Sequence, residues 1–204
     1  MKLSKEVVEN AIEILQNLME QDAYYINENY FEKKETILQE FLGVLQELYQ
    51  KWIEKNGSEY PAAFLNFCYL RSSIVTESFE LFICLFDKNV YFGDSQVYIV
   101  WKPDFIMQQY LVSKKELEKK LYDKILNVAS HEIKELQILY GVEYFYFIFL
   151  FIKNHISIII EDDNFGKIEI TDDFRITFGG FYEEQVTLFR FDDEFFDDVE
   201  DETE

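Results

Sequence analysis

Apolar residues recur at steps of three and four through the N-terminal third of the chain, which is the spacing of one helix face. The first set follows Ser4, a suitable helix cap, and consists of Val7, Ala11, Ile14, Leu15 and Leu18. The second set consists of Leu38, Phe41, Leu42, Leu45, Leu48, Tyr49 and Trp52. Asn56 and Gly57 are expected to end the second helix. With a polar connection near residues 27–29, the pattern predicts an antiparallel helical hairpin over residues 1–57.

The middle of the chain combines short strands with helices. The runs SFELFICLFD and QVYIVW predict strands, and a short helix is expected to begin at Pro103 and Asp104, so that residues 79–111 hold strands and a short helix. Ser113 and Glu116 then have the spacing of a capping box, and Gly141 is a helix-ending residue. We therefore expect a long helix over residues 113–141.

The remaining chain, residues 142–191, is expected to form a β-meander. It opens on an aromatic run in which Phe145, Phe147, Phe149 and Phe151 alternate with other apolar residues, as in a buried strand. A buried helix that continues the preceding helix is the alternative, since periodicity does not separate the two in so apolar a run. Lys153, Asn154 and His155 interrupt the run, which argues against a membrane span. The segments ISIII, KIEIT, FRITF and VTLFRF predict the further strands.

These elements predict an α+β fold, in which the helical hairpin and a central helix pack on a mostly antiparallel sheet. Residues 1–191 are expected to form one domain, followed by an acidic, disordered tail over residues 192–204. Of the 204 residues, 49% are hydrophobic, enough for a substantial core. The N-terminal segment MKLSKEVVEN has no apolar signal region, so a cytoplasmic location is expected.

Acidic residues are concentrated toward the C-terminus. The formal net charge is −21, and residues 161–204 carry 17 acids against 3 bases. Seven of these acids fall at predicted strand ends and turns and are expected to gather along one rim: Glu161, Asp162, Asp163, Asp172, Asp173, Glu183 and Glu184. Such a rim repels nucleic acid and anionic membranes and attracts basic proteins.

Nine of these 17 acids lie in the tail, which has no base. It begins with Asp192 and Asp193, and Phe195 and Phe196 lie between the acids. The two rings are candidate apolar anchors for a partner, with the acids steering its approach. The alternatives are a tail that only keeps the protein soluble, and rings that pack on the protein's own core.

Catalytic and cofactor signatures are weak. His131 and Glu132 begin a zinc-protease motif, but Glu135 stands where the second His is required. Asp104, Glu132 and Lys134 follow the order of a magnesium nuclease motif, yet Glu132 and Lys134 lie on a predicted helix and point to different faces. We therefore expect neither a metal nor a cofactor, and the sequence gives no support for an enzyme.

The leading hypothesis is an acidic protein-binding module, such as an inhibitor or immunity-type protein that occupies the cationic cleft of a nuclease toxin. Fixed carboxylates would lie where that enzyme binds phosphates. The alternative is a hydrolase or small-ligand protein with a pocket between helices and sheet, where acids such as Asp87, Asp94 and Asp104 would do acid and base work.

Overall fold

The computed structural model describes residues 3, 5–126 and 128–191 of the chain. The predicted cap Ser4 and the tail over residues 192–204 lie outside the described residues. In chain order the helices and strands are α1 (Lys5–Asn56), β1 (Ala62–Tyr69), α2 (Arg71–Thr76), β2 (Leu81–Phe86), β3 (Val97–Trp101), α3 (Asp104–Lys124), α4 (Ser130–Asn154), α5 (Ile156–Ile160), β4 (Ile170–Gly180) and β5 (Gln185–Arg190). Short 3-10 turns lie at Val90–Phe92 and Phe165–Lys167.

The five strands form one mixed sheet in the order β3-β2-β1-β4-β5. Strands β4 and β5 pair antiparallel, and a bulge between Ile176 and Thr177 shifts their register. Strand β1 adjoins β4 in the middle of the sheet, where Thr177 Oγ1 donates to Asn66 Oδ1 at 2.8 Å. The predicted α+β class is confirmed.

The chain divides into two compact units, each built from three segments. Unit 1 takes the described residues up to Val44, together with Tyr69–Leu81 and Val100–His155. Unit 2 takes Leu45–Cys68, Phe82–Ile99 and the described residues from Ile156 onward. The prediction of a single domain over residues 1–191 stays a prediction.

Unit 1 is a helical unit in which α3 and α4 approach each other closely. Gly141 lies inside α4, and a Cβ atom added there would meet Ile74 Cγ2 at 2.5 Å and Tyr110 Cζ at 2.9 Å. Tyr110 also donates from its hydroxyl to the Gln137 carbonyl at 3.0 Å. Burial raises the pKa of Tyr110 to about 12, so the hydroxyl stays protonated and remains a donor.

Unit 2 holds most of the sheet and the C-terminal end of α1. The Trp52 indole donates to the Tyr60 carbonyl at 3.1 Å, which fixes the chain between α1 and β1. The Asn56 amide donates to the Ser95 carbonyl at 2.8 Å, just before β3. Trp52 is fully buried, so this end of α1 is part of the core of unit 2.

The predicted polar connection near residues 27–29 is wrong, because these residues are helical. Helix α1 spans 52 residues as two helical segments that meet at a kink at Lys33, where φ is −120° and ψ is 18°, so no loop separates the two helices of the expected hairpin. The sequence has no Gly or Pro before Gly43. Polar residues alone do not stop a helix, because Asn and Glu cost little inside one when they face solvent.

The predicted strand over residues 142–152 is also wrong, and the alternative interpretation of a buried helix is correct. Helix α4 continues through the aromatic run to Asn154, and ISIII forms the short helix α5. The buried residues of α4 recur at steps of three and four: Ile133, Leu136, Tyr140, Tyr144, Ile148, Phe151 and Ile152. Since Ile170 is the first residue of β4, the expected meander is reduced to the β4–β5 hairpin.

The predicted helix boundaries at Ser113 and Gly141 are wrong as well. Ser113 lies inside α3 with its side chain buried, and the next helix begins at Ser130, where the Glu132 carboxylate accepts from the Ala129 backbone N–H at 3.2 Å. Gly141 lies inside α4, where its lack of a side chain allows close packing against Ile74 and Tyr110. It does not end the helix. The strands β2, β3 and β5 and the FRITF part of β4 are confirmed, whereas β1 and α2 were not predicted.

Among the described residues, α4 is the one helix long and apolar enough to cross a bilayer. Half of its most apolar 18-residue window is buried inside the structure. The core helix of a soluble protein has the same length and composition, so α4 is weak evidence for a membrane span.

Candidate functional site

Five of the predicted site residues lie in two short segments that flank the ring contact between Phe165 and Phe174, and we call this group the acidic end. Glu161, Asp162 and Asp163 follow α5, and Asp172 and Asp173 lie at the start of β4. The last described residue, Phe191, donates its backbone N–H to the Phe174 carbonyl at 3.1 Å. The described part of the chain therefore ends at Phe191, beside Phe174.

A cluster of aromatic rings packs next to the acidic end. Phe165 contacts Phe174, with ring centroids 5.5 Å apart, and Tyr49 at 5.8 Å. Phe191 contacts Phe189 at 5.0 Å. Because Tyr49, Phe165 and Phe174 are buried, the turn that carries Glu161–Asp163 is packed against a core.

One carboxylate of the acidic end holds its own turn in place. Asp162 Oδ1 accepts the backbone N–H of Asn164 at 2.8 Å and that of Phe165 at 3.3 Å. Burial, followed by the nearby charge of Asp162, raises the pKa of Tyr49 above its ordinary value. The other four acids of the group are exposed.

Glu183 and Glu184 lie elsewhere. They occupy the turn between β4 and β5, after Gly180, and both are exposed. With a rise of about 3.3 Å per residue, seven residues of β4 separate Asp173 from Gly180 by about 20 Å. The single rim expected from sequence is thus two groups at opposite ends of β4. Asp192, Asp193, Phe195 and Phe196 lie outside the described residues.

The three carboxylates named for the enzyme alternative do not form one site among the described residues. Asp87 is buried and holds a turn, accepting from the Tyr60 hydroxyl at 2.9 Å and the Asn89 backbone N–H at 2.7 Å. Asp94 and Asp104 are exposed. Within residues 3, 5–126 and 128–191, no three His, Cys, Asp or Glu side chains form a group that could hold a metal ion.

Unit 1 contains a cavity of about 420 Å³ that sequence reasoning did not find. Helix α1, the start of α3 and the end of α4 enclose it. Its aromatic lining residues are Tyr30, Phe31, Phe105, Phe147 and Phe151. Four more are aliphatic, and the others are Asn27, Asn154 and His155. Phe31 is 69% exposed, so the cavity opens to solvent at this ring.

The polar centre of the cavity is a hydrogen-bonded pair, His155 and Tyr30. His155 Nδ1 lies 2.6 Å from the Phe151 carbonyl oxygen, which can only accept, so Nδ1 carries a proton. Nε2 lies 2.6 Å from the Tyr30 hydroxyl. Burial lowers the pKa of His155, the hydrogen bond to Phe151 opposes this, and the charge of Lys34 lowers it further. The imidazole is therefore neutral at pH 7, and Nε2 accepts from Tyr30.

This pair makes stability depend on pH. The pKa of His155 in the folded chain lies below the unfolded value of about 6.5, so the unfolded state binds more protons as pH falls below that value. The stabilising contribution is present above about pH 6.5 and is lost as pH falls toward the folded pKa. Between pH 7.5 and 5, we expect the melting temperature of the wild type to fall more than that of His155→Gln.

Thermal unfolding at both pH values measures this difference. Gln keeps an amide donor and acceptor but does not titrate in this range. Asn154→Gln is the neighbouring control, because it removes no titrating group, and it should retain the wild-type difference. Equal shifts for the wild type and His155→Gln would contradict the prediction.

A second buried polar group lies in unit 1, at Asp22 of α1, which is only 1% exposed. Its Oδ2 accepts hydrogen bonds from the hydroxyls of Tyr140 and Tyr144. Its Oδ1 accepts from the Ser113 hydroxyl at 2.5 Å and from the Gln109 amide at 2.8 Å. Four donors from α3 and α4 thus converge on one carboxylate, which ties the two helices to α1.

Sequence reasoning missed Asp22, although a signal for it exists. Leu18, Asp22 and Ile26 are four residues apart, so an acid occupies a step of the apolar stripe of α1. The four hydrogen bonds occupy both oxygens of the Asp22 carboxylate. Asp22 does not line the cavity. Its role is to hold unit 1 together.

Comparisons of the chain with protein-family models, with curated proteins and with solved structures found no match, so its function has to be inferred from its own residues.

Proposed function

We propose that this chain is an acidic protein-binding module of the cytoplasm, an inhibitor or immunity-type protein that occupies the cationic cleft of a basic partner such as a nuclease toxin. The observation that carries the proposal is the acidic end, whose five acids flank the aromatic cluster at which the described chain ends. A cationic cleft that binds phosphates offers the complementary charge.

The uneven division of charge between the units supports this proposal. The segments 45–68, 82–99 and 156–204 carry 22 acids and 6 bases, whereas the rest of the chain carries 18 acids and 13 bases. The net charges are −16 and −5. If the acids served only solubility, they would not need to be concentrated in one part of the chain. A negative field concentrated on unit 2 attracts an approaching basic protein and raises the rate of association.

The rigidity of the acidic end supports it further. Asp172 and Asp173 lie on a strand that is paired within the sheet, and Asp162 is fixed by two backbone N–H groups. Charges that are already held in position lose less conformational entropy on binding than charges on a flexible segment. Residues 161–191 contain eight acids and three cations, so at least five of these acids have no counter-charge within the same segment.

We expect the change of Asp162, Asp163, Asp172 and Asp173 together to Asn to lower the association rate with the partner about tenfold at low salt. Stability should change little, because exposed charges contribute little to folding and Asn also accepts the backbone N–H groups at position 162. The partner is first purified with the wild-type chain from the native host and identified by mass spectrometry. Association and dissociation rates are then measured at several salt concentrations.

The matched control removes the same charge from unit 1, through Glu20, Glu28, Glu32 and Glu35 changed to Gln, all of which are exposed on α1. If the acidic end is the interface, this control should keep most of the wild-type association rate, and the rate should fall with salt because attraction is screened over about 10 Å at 0.1 M ionic strength. An acidic partner, or equal effects of the two fourfold variants, would exclude the acidic end as the docking surface.

A further inference from the structure

We propose that the cavity of unit 1 is a binding site for an uncharged, flat aromatic molecule. This inference is independent of the proposed function, since every residue that carries it belongs to unit 1. Three properties of the cavity define the ligand: its volume, its aromatic walls and the absence of charge from its lining.

The volume and the walls fit a small molecule. About 420 Å³ lies in the range of ligand sites, which is about 300–1,000 Å³, and is far larger than a packing void. Phe105 contacts Phe151, with ring centroids 5.0 Å apart, and Tyr30 contacts Phe151 at 5.9 Å. Asn29 holds the start of α3 to α1 by donating to the Phe105 carbonyl at 3.1 Å. The walls are therefore fixed rings, which favour a flat aromatic partner.

The lining carries no formal charge. The described residues that line the cavity include no Asp, Glu, Lys or Arg. Its one titratable group near neutral pH, His155, is neutral because its Nδ1 proton is held by Phe151 and its Nε2 accepts from Tyr30. A charged ligand would lose its hydration without gaining a counter-charge from these residues, so an uncharged ligand is favoured.

The polar atoms lie beside the apolar walls, and they can orient a ligand. The Tyr30 oxygen donates its own proton to His155 and keeps lone pairs that can accept a hydrogen bond. The amides of Asn27 and Asn154 also line the cavity, and both residues are exposed. A ligand would thus bury its ring among the phenylalanines and keep its polar edge near the amides.

Two fluorescent probes with the same aromatic skeleton test the proposal on the full-length chain. N-phenyl-1-naphthylamine is uncharged, and 8-anilinonaphthalene-1-sulfonate is the same skeleton with an added anionic group. We expect saturable binding of the uncharged probe with one site per chain, and binding of the sulfonate that is at least tenfold weaker. The titration is repeated at 0.5 M salt, where screening reduces the effect of the protein's overall charge.

Two variants locate the binding site. Ala23→Phe places a ring inside the cavity, and Asn27→Phe narrows it from an exposed position where a change should not disturb folding. Each should weaken binding of the uncharged probe at least tenfold, whereas Val112→Phe, at an exposed position of α3 that does not line the cavity, should change it less than twofold. Far-ultraviolet circular dichroism checks that the variants fold.

The proposal is overturned if the wild type does not bind the uncharged probe saturably. It is also overturned if the sulfonate binds equally well at 0.5 M salt, or if both Asn27→Phe and Ala23→Phe bind like the wild type.

Discussion

Replacing Asp22 by Ala is expected to lower the free energy of unfolding by about 3–5 kcal/mol, which is a large part of the stability of most proteins. The carboxylate accepts hydrogen bonds from Tyr140, Tyr144, Ser113 and Gln109, and Asp22 is almost fully buried. An Ala there leaves these donors without their acceptor, and the side chains of Tyr140, Tyr144 and Ser113 are buried. A buried donor that loses its partner costs about 1–3 kcal/mol, and the four losses overlap because the groups can repack.

The two tyrosines remain donors over the whole working range of pH. Burial, and then the hydrogen bond to Asp22, raises the pKa of Tyr140 and of Tyr144 well above its ordinary value. Neither phenol therefore becomes an anion near the carboxylate. Their hydroxyl protons are what Asp22→Ala leaves unpaired.

Urea unfolding of the wild type and of Asp22→Ala measures the effect, and Glu20→Ala, an exposed acid on the same helix, should change stability by less than about 0.5 kcal/mol. A double-mutant cycle sharpens the test. In a background of Tyr140→Phe and Tyr144→Phe, two of the donors are already removed, so Asp22→Ala should cost less there than in the wild type. An equal cost in both backgrounds would show that the tyrosine hydroxyls are not coupled to Asp22.

Gly141→Ala is expected to destabilise the chain by about 1–3 kcal/mol, and Gly43→Ala to stabilise it by up to about 1 kcal/mol. Both glycines lie inside helices, so Ala improves the helix propensity equally at each. They differ in the space around them. The added Cβ at position 141 would meet Ile74 and Tyr110 at distances of 2.5 to 3.0 Å, whereas at position 43 nothing lies within 4 Å.

The opposite signs make this pair a test of packing that is independent of helix propensity. Denaturation of both variants under the same conditions gives the two changes in the free energy of unfolding. Ile74→Ala removes the Cγ2 atom that the new methyl group would meet, so Gly141→Ala should cost less in that background. If Gly141→Ala stabilised the protein, α4 would not approach α2 and α3 as closely as we describe.

The strands were easier to predict from the sequence than the helices. In β3, Val97, Ile99 and Trp101 are buried while Tyr98 and Val100 are exposed, and this alternation is readable in the sequence. In α4 the aromatic run is apolar at nearly every position, so it matches both the two-residue alternation of a strand and the three- and four-residue spacing of a helix. The run is helical because it packs against the rest of unit 1, and a local sequence pattern does not contain that information.

Residues that usually begin or end a helix were the other source of error in the prediction. The local pattern predicts a helix end at Gly141, but the lack of a side chain there allows the contact with Tyr110 and Ile74. The local pattern predicts a cap at Ser113, but its hydroxyl donates to Asp22, which is 91 residues away in sequence. A local signature does not distinguish these uses, because the partner is distant in the chain.

The candidate sites show the same limit. Charge counting identified the acids of the acidic end, because composition is local. The expected separate strand KIEIT and the turn at Asp172 and Asp173 are wrong, because Phe165–Lys167 is a 3-10 turn and both acids belong to the 11-residue strand β4. The length of β4 divides the seven predicted rim acids into two groups. The cavity requires α1, α3 and α4 to meet, so no single segment of the sequence indicates it.

The interleaving of the two units has a consequence for the order in which the protein can form during its synthesis. Unit 1 needs the segment that ends at His155, so its first 44 residues leave the ribosome long before their partners exist. At about 5–20 residues per second, the intervening 111 residues take about 6–22 s. During that interval the apolar face of α1 has no permanent cover. Because an uncovered apolar helix face is the kind of surface that chaperones hold, we expect the nascent chain to bind them during this interval.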